Sequence, residues 1–326
     1  MKKKIIVIDL IGPNGHINWL NKLFSLIEKD FEVLFISYKS YSDQLIVENR
    51  IVLNDKFLPK RNRFINLIKS GIVFSKIKKI LKEYDSNIPV YIVGFENISY
   101  AIFGFKKRKV LLHVHNNLSL SKLSLIFFKH ISKNNTFIVY EGFIKMHLES
   151  LSNEIYVLNH SLNFKPENKY KSFENYIFIP SKIDDLNLLD TLINFAKTKN
   201  LKIIFKSDFE VNNHEILISK PFFKNYIDLL MNCKYVAIIS SHNYRVSGVF
   251  YEAMSYNKKI KIIGDKGIFI KEMMKIYPNS FENSEIFNKI DIFDNKNKKD
   301  DHDRFISNHH DFKIKKQFKK IINEFK

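Results

Sequence analysis

Short apolar runs rich in Ile and Val alternate along this chain with longer segments of helical periodicity. We predict a strand in each apolar run. The runs span residues 4–10, 32–37, 90–93, 110–115, 137–140, 155–158, 176–180, 202–205, 215–218, 235–240 and 259–263. Strands that are apolar on both faces and separated by helices are typical of parallel sheets covered on both sides. The pattern therefore predicts an α/β protein with doubly wound sheets.

A polar stretch near the middle of the chain, NFKPENKYKSFEN at 163–175, indicates a boundary between two domains. A chain of 326 residues is long enough for about two domains. The predicted division is an N-terminal domain at 1–163, a linker at 164–175, a C-terminal domain at 176–310 and a closing helix at 311–326. The charged, Asn-rich residues 295–310 are expected to form a loose connector. The closing helix is predicted from apolar positions at helical spacing, namely Phe312, Ile314, Phe318, Ile321, Ile322 and Phe325.

The first residues, MKKKIIVIDLIG, superficially resemble a secretory signal. Asp9 interrupts their apolar run and a turn follows, so we interpret them as the first strand. The chain offers no run of roughly 18 apolar residues that could span a membrane. Cys233 is the single cysteine and has no internal partner, which favours a reducing compartment and a buried thiol. We therefore expect a cytoplasmic protein that is soluble or peripheral on the inner face of the cell membrane.

The net charge of +19, from 53 basic and 34 acidic residues, has two explanations that the composition leaves open. One is an anionic partner. The other is genomic bias, because Lys, Asn, Ile, Phe and Tyr are plentiful while Gly and Pro are scarce.

The positive charge is concentrated at residues 56–82, which carry nine basic residues and no acidic one, and at the KKRK run of 106–109. Basic and apolar side chains are interleaved there, as in segments that bind the anionic face of a bilayer. An ordinary solvated helix explains the same stretch, since these lysines do not fall on one stripe. Nucleic-acid binding is not expected, because we find no recognisable module that pairs basic residues with stacking aromatics.

Two loops after predicted strands of the N-terminal half carry candidate chemistry. The first, IGPNGHINWLNKLF at 11–24, has Gly12 and Gly15 around a turn that leads into a helix. Such a turn is either a ligand loop or a plain tight turn, and it lacks the dinucleotide fingerprint.

The second loop, LLHVHNN, places His113 and His115 on one face of a strand. A polar contact from His115 to a ligand and purely structural histidines both remain open, whereas a metal site would need ligands that the spacing does not supply.

The most informative segment is SSHNYRVSGVFYEAMSYNKKIKIIG at 240–264. A strand runs into a polar loop, and Ser247 and Gly248 then open an amphipathic helix that carries Glu252. Free amides at the helix start, with Arg245 beside them, suit a diphosphate, and Glu252 could accept hydrogen bonds from a ribose diol. Alternatively, Glu252 is a favourable acid in the first turn and Arg245 a solvated loop residue.

This segment resembles the donor-binding segment of the GT-B fold glycosyltransferases of the large retaining group that uses sugar nucleotides. Glu252, Ala253 and Met254 match the second half of that group's motif, and the Gly turn, the HVHNN segment and VLNHSLN at 157–163 fall in the expected order. The resemblance implies two Rossmann-like domains facing across a cleft, with the acceptor bound by the N-terminal domain.

The resemblance also implies roles for individual residues. His115 and Arg245 are expected to be catalytic. Donor binding is expected at Gly15, Lys182, Lys206, Tyr244, Ser247, Gly248, Val249 and Glu252. Tyr244 stands where the family has its first Glu, Asn257 replaces the usual Gly after the helix, and Lys182 and Lys206 are the nearest equivalents of a basic pair.

The predicted function is transfer of a sugar from a nucleotide sugar to a glycan acceptor, which we expect to be lipid-linked, in bacterial surface polysaccharide or lipopolysaccharide synthesis. The reaction is expected to be retaining and independent of metal and cofactor, with an anionic membrane surface as a partner. A noncatalytic nucleotide-sugar-binding protein is the alternative, followed by a basic nucleic-acid-binding protein.

Overall fold

The computed structural model describes residues 2–11, 16–59, 62–115, 117–118, 121–151, 154–162, 174–183, 186–207, 216–239, 243–263, 267–281 and 298–325. The expected linker up to residue 173 and the first three residues of the expected connector, 295–297, lie outside these ranges. The chain forms two compact units. Unit 1 comprises Met1–Asn163, Tyr244–Val246 and His309–Lys326, and unit 2 comprises Phe164–Asn243 and Ser247–Asn308.

Parallel strands form one sheet in each unit. Unit 1 contains β1 (Lys3–Asp9), β2 (Phe31–Tyr38), β3 (Arg50–Leu53), β4 (Val90–Gly94), β5 (Val110–His113), β6 (Asn135–Val139) and β7 (Ile155–Val157). Unit 2 contains β8 (Glu174–Lys182), β9 (Lys202–Lys206), β10 (Leu217–Lys220), β11 (Cys233–Ile239) and β12 (Lys259–Ile263). The predicted α/β class with two parallel sheets is confirmed.

Helices connect the strands and cover the sheets. They are α1 (Ile17–Ile27), α2 (Lys39–Ser42), α3 (Arg63–Leu81), α4 (Asn97–Phe103), α5 (Lys122–Lys129), α6 (Gly142–Leu148), α7 (Leu186–Lys199), α8 (Tyr226–Asn232), α9 (Gly248–Ser255), α10 (Ile268–Ile276), α11 (Lys298–Asn308) and α12 (Asp311–Glu324). Short 3₁₀ turns lie at Asp55–Phe57, Glu149–Leu151 and Pro278–Ser280. Among the described residues, no helix has the length and apolar character needed to cross a bilayer.

Both sheets are doubly wound. The strand order is β3-β2-β1-β4-β5-β6-β7 in unit 1 and β10-β9-β8-β11-β12 in unit 2. In each sheet the chain builds outward on one side of its first strand and then returns to the other side. The switch points therefore lie between β1 and β4 and between β8 and β11, where ligands of open α/β sheets bind.

The core of each unit is built from the apolar strands and the helix faces that cover them. In unit 1 the buried cluster includes Val7, Trp19, Tyr91 and Phe318. In unit 2 a second cluster joins β8, β9 and β11 to α7. Cys233 is a buried, free thiol, as predicted.

The expectation of a loose connector at 295–310 is wrong, because α11 occupies most of it. The sequence KKDDHDRFISN offers few apolar positions, but Phe305 is fully buried. The side chain of Asp301 also accepts the backbone N–H of Asn279 at 2.7 Å. Tertiary contacts, not an apolar stripe, therefore hold this helix.

Candidate functional site

The carboxyl edge of the unit 1 sheet brings several predicted loops together. β1 ends at Asp9 beside Gly94 at the end of β4, and these two residues are partners in the strand register. A Cβ atom at Gly94 would lie 2.4 Å from Oδ1 of Asp9, so only glycine permits this close approach. The buried carboxylate of Asp9 consequently lies at the switch point of the sheet.

Asp9 holds the side chain of His16, which directly precedes α1. Oδ2 of Asp9 accepts hydrogen bonds from His16 Nδ1 at 2.9 Å and from the Tyr41 hydroxyl at 3.0 Å, and Oδ1 accepts the N–H of Ile11 at 3.0 Å. Burial alone would lower the pKa of His16, but the hydrogen bond and the charge of Asp9 raise it above its ordinary value. A carboxylate that orients and charges an imidazole is the arrangement used to accept and donate protons.

His115, predicted to be catalytic, lies against His16 in a stack of imidazoles. Its ring centroid is 4.6 Å from that of His16 and 4.2 Å from that of His113. Burial, followed by the neighbouring histidines, lowers the pKa of both His113 and His115 well below the usual range. Among the described residues, the buried Nε2 atom of each of these two histidines has no hydrogen-bond partner. The stack therefore places neutral rings beside the more basic His16.

Aromatic side chains enclose this stack. Trp19 contacts His113 and His115 edge-on, with centroids 5.3 and 5.6 Å away, and Tyr140 lies beside the same two rings. The N–H of His115 donates to Oδ1 of Asn117 at 3.1 Å, which fixes the turn after β5. In the part of the chain that the structure describes, no three His, Cys, Asp or Glu side chains are placed to share a metal ion.

The loop before α9 contributes three residues to unit 1. The ring of Tyr244 stacks on His147 of α6, with centroids 3.6 Å apart and planes 12° apart. Val246 packs against the core of unit 1. Arg245 lies between them and is partly buried. The predicted donor contact of Tyr244 and the predicted catalytic Arg245 thus belong to unit 1, whereas Ser247 and Gly248 belong to unit 2.

Two predicted donor-binding lysines are neighbours at the carboxyl edge of the unit 2 sheet. Lys182 ends β8, Lys206 ends β9, and the two are register partners. Lys182 is exposed and Lys206 partly buried. Nζ of Lys206 lies 5.7 Å from the ring centroid of Tyr226.

Tyr226 links this pair of lysines to Glu252 of α9. Its hydroxyl donates a hydrogen bond to Oε2 of Glu252. Burial raises the pKa of Glu252, and this effect is opposed by the Tyr226 hydrogen bond and by the charge of Lys206. The carboxylate predicted to bind a ribose is thus partly buried, with one oxygen engaged by the protein.

The start of α9 is capped and open. The side chain of Ser247 accepts the N–H of Phe250 at 3.3 Å, so it acts as the N-cap. Gly248 is exposed, and among the described residues outside its chain neighbours and its own helix backbone, no atom lies within 4 Å of the place where a Cβ would stand. The N–H groups of Gly248 and Val249 are the first of the helix and have no acceptor within it. At the other end, Asn257 has φ 52°, a left-handed conformation in which Asn replaces the usual Gly at little cost.

The structure joins some of the predicted site residues and adds others. One group contains the predicted residues Lys182, Lys206 and Glu252 together with Tyr226. The sequence had given no indication of a role for Tyr226. Asp9 and His16 were also missed, although an acid at the end of an apolar strand with a His seven positions later was a usable signal. Gly15 lies outside the described residues.

Comparison with known proteins identifies the fold of this chain but does not assign it to a family. No known family model matches this sequence, and no curated protein is similar to it. Solved structures are similar over nearly the whole chain. HepE of Anabaena, in complex with UDP and glucose, is 12% identical with a TM-score of 0.60, and 99% of this chain and 100% of that chain are covered.

Two further structures carry the same architecture. A glycosyltransferase of Rickettsia africae is 14% identical, with a TM-score of 0.58 over 99% of this chain and 98% of that chain. A UDP-N-acetylglucosamine 2-epimerase of Rickettsia bellii is 16% identical, with a TM-score of 0.52 over 80% of this chain and 79% of that chain. The likeness establishes the GT-B class of fold, which serves transferases and an epimerase alike.

Proposed function

We propose that this protein is a glycosyltransferase that moves a sugar from a nucleotide sugar to a glycan acceptor. The observation that carries the proposal is the group at the carboxyl edge of unit 2. There the neighbouring Lys182 and Lys206, the open start of α9 and the partly buried Glu252 offer cations and amides for a diphosphate and a carboxylate for a ribose. The likeness to HepE, a structure that holds UDP, supports this choice of ligand.

Departure of a nucleoside diphosphate builds negative charge, and stabilising that charge is the main electrostatic task of the protein. In the proposal Lys182, Lys206 and Arg245 supply positive charge, and the N–H groups of Gly248 and Val249 supply hydrogen bonds. In the proposal these groups act without a metal. Ser247 keeps the amides in place, and the donor contacts expected of Tyr244 and Gly15 stay predictions. His115 contacts the transferred sugar through an imidazole that burial keeps neutral.

The stereochemical course has two candidates. The resemblance to the retaining group implies retention, which we keep as the first. The Asp9–His16 pair favours the second, because inversion by a single displacement requires a base that takes the proton of the acceptor hydroxyl. The anomeric configuration of the product, read by proton NMR, distinguishes them: a β product from an α donor would overturn retention.

The acceptor in this proposal is lipid-linked, and the protein works at the inner face of a bacterial membrane in surface polysaccharide synthesis. The support comes from unit 1, where apolar side chains of α3 and α5 are exposed among lysines. They are Phe64, Ile65, Ile68, Ile72, Leu123 and Ile126. Right-handed crossovers place both helices on one face of the sheet, and α4 contacts both of them. Apolar and cationic side chains on one face suit an anionic bilayer.

The experiment is a panel of UDP, GDP and ADP sugars, scored by melting temperature and by release of the nucleoside diphosphate. At least one sugar nucleotide should raise the melting temperature and be consumed. Lys206→Gln should weaken its binding about tenfold or more, because a charge-assisted hydrogen bond is lost. Lys202→Gln, at the opposite end of β9, is the matched control and should bind as the parent does.

Every alternative outcome of this experiment would identify a different function. Binding without consumption identifies a noncatalytic binding protein, and conversion of the sugar into its epimer with the nucleotide still attached identifies an epimerase. Stabilisation by DNA and by no sugar nucleotide identifies a nucleic-acid-binding protein. Arg245→Ala should reduce turnover sharply with the fold intact, and unchanged turnover removes Arg245 from the site.

A further inference from the structure

A cavity in unit 1 lies away from the candidate site. It has a volume of about 810 Å³ and is bounded by the end of α3, the turn before β4 and the loop between α4 and β5. Both of these connections enter parallel strands, so the cavity lies at the amino edge of the sheet. The candidate site residues Asp9, His16 and His115 follow strands and lie at the carboxyl edge. The cavity is therefore a separate feature.

The rim of this cavity carries an excess of positive charge, part of which Asp85 offsets through its interaction with Arg108. Lys78, Lys82, Lys106, Lys107 and Arg108 line it, and no Asp or Glu does among the described residues. In the described part of the chain, none of these four lysines has a carboxylate within ion-pair distance, and all four are exposed. Asp85 lies in the adjoining turn, where its side chain accepts the N–H of Asn87 at 2.9 Å. Five cations thus surround one cavity.

The floor of the cavity is apolar. Leu81 and Phe105 are buried beneath it, and Ile102 beside them is 40% exposed. Nζ of Lys78 lies 6.0 Å from the ring centroid of Phe105, so one cation is held over the floor. A ligand that fits both surfaces carries a negative group and an apolar portion next to it.

The walls are preformed. The guanidinium of Arg108 donates hydrogen bonds to the carbonyls of Leu81, Asp85 and Ile88 at 3.1, 3.0 and 2.9 Å, which ties the end of α3 to the turn that follows it. At Gly104 a Cβ atom would lie 2.4 Å from the carbonyl oxygen of Tyr100, so the loop needs glycine there. A preformed site binds without first paying the entropy of ordering its walls.

We propose that this cavity binds the phosphate-bearing headgroup of an anionic membrane phospholipid, with the phosphate among Lys78, Lys82, Lys106 and Lys107 and the glycerol end against Ile102 and Phe105. The cavity adjoins α3 and α4, whose layer exposes the apolar face described above. The inference builds on the proposed membrane binding but not on the proposed transferase activity. Vesicle binding tests it without any sugar nucleotide.

The test is flotation with vesicles of phosphatidylcholine alone and with vesicles that also contain phosphatidylglycerol. Two double variants of equal charge are compared, Lys82→Gln with Lys107→Gln in the cavity, and Lys76→Gln with Lys79→Gln on the exposed surface of α3. If binding rested only on the delocalised attraction between the basic protein and the anionic bilayer, each lysine removed would lower the affinity roughly fivefold. Both variants would then be weakened equally. We expect the cavity variant to bind phosphatidylglycerol vesicles at least about tenfold more weakly than the surface variant.

Several results would overturn the proposal. An equal loss of vesicle affinity in the two variants would mean that delocalised attraction alone binds the membrane. No loss of affinity in either variant would mean that the cavity does not bind lipid. Inorganic phosphate that binds the parent as tightly as the vesicles do identifies a soluble anion as the ligand. Ile102→Gln should weaken vesicle binding without changing the melting temperature, because the side chain is exposed, and an unaffected variant excludes the apolar contact.

Discussion

The histidines at the carboxyl edge of unit 1 show how neighbouring side chains of one type acquire different charges. Asp9 raises the pKa of His16, whereas burial and the charge of His16 lower the pKa values of His113 and His115. Like charges at stacking distance repel, so one ring of the stack takes the proton and the others stay neutral. The stack can hold one positive charge at a fixed place.

The buried histidines predict that unit 1 loses stability in acid. Burial lowers the pKa of His160 to about 3 and that of His309 to about 4, from an ordinary value of 6.5. At a pH between these lowered pKa values and 6.5, the unfolded chain binds more protons than the folded chain does. The free energy of unfolding therefore falls as the pH falls. The slope is about 1.4 kcal/mol per pH unit for each such histidine. His16 acts in the opposite direction. Its contribution to the free energy of unfolding is fully present below pH 6.5 and is lost as the pH rises through the raised pKa of His16.

His309→Gln measures one of these contributions. Nδ1 of His309 donates to the carbonyl of His160 at 2.8 Å, and the amide of Gln can replace that donor without titrating. The variant should show a slope shallower by about 1.4 kcal/mol per pH unit between about pH 4.5 and 6.5. Urea unfolding followed by fluorescence is the measurement, because Trp19 is the only tryptophan and lies in the core of unit 1. His130→Gln, at the exposed position directly after α5, is the control, and an unchanged slope in the His309 variant would contradict the assignment.

At the scale of elements, α12 completes unit 1 from the far end of the sequence. Phe318 is fully buried, and its ring meets those of Phe31 and Tyr91 edge-on at 5.7 and 5.9 Å. At the start of the helix, Lys22 of α1 pairs with Asp311 at 2.6 Å. This ion pair is partly exposed to solvent, so the buried face of the helix contributes most of the stability.

Phe318→Ala should therefore destabilise unit 1 by about 3–5 kcal/mol, because it removes a fully buried aromatic ring and leaves a cavity. Phe312→Ala on the same helix is the matched control. Its side chain is 72% exposed, although the spacing placed it on the apolar face, and its loss should cost less than about 0.5 kcal/mol. The measurement is again urea unfolding followed by Trp19. Equal effects in the two variants would mean that α12 does not pack on unit 1.

The sequence was sufficient for elements that bury continuous apolar runs, and insufficient where tertiary contacts decide. Each predicted strand exists, because Ile and Val runs covered on both faces leave little choice of conformation. Arg50–Leu53 was missed because this strand at the edge of the sheet has only three apolar residues, Ile51, Val52 and Leu53, and two of its four positions are exposed. The helix α11 was missed because its stability comes from Phe305 and Asp301, whose partners are distant in sequence.

The same limit applies to the site. The N-cap role of Ser247 could be predicted, because a cap is a local pattern of adjacent residues. Tyr226 and Glu252 are 26 residues apart, and no spacing rule joins them. The pairing of Lys182 with Lys206 required the strand register. Local chemistry could thus be predicted from the sequence, whereas its partners could not.

At the scale of the whole molecule, the two units carry different chemistry on the same type of sheet. The carboxyl edge of unit 1 presents imidazoles and aromatic rings around Asp9. That of unit 2 presents lysines, helix amides and a carboxylate. One face of the unit 1 sheet exposes apolar side chains among lysines, and the cationic cavity adjoins it. Under the proposed function, this difference predicts that the nucleotide binds to unit 2 and that the acceptor and the membrane bind to unit 1.

Hydrogen exchange with and without UDP tests this division. A ligand that binds the native state stabilises it by about 2.7 kcal/mol at a concentration of 100 Kd, which slows exchange through local opening about a hundredfold. The slowing should be found at the ends of β8 and β9 and at the start of α9, where Lys182, Lys206 and Gly248 lie. Peptides from α3 are the internal control and should exchange as before. Slowing confined to unit 1 would assign the nucleotide to the imidazole stack and remove unit 2 from donor binding.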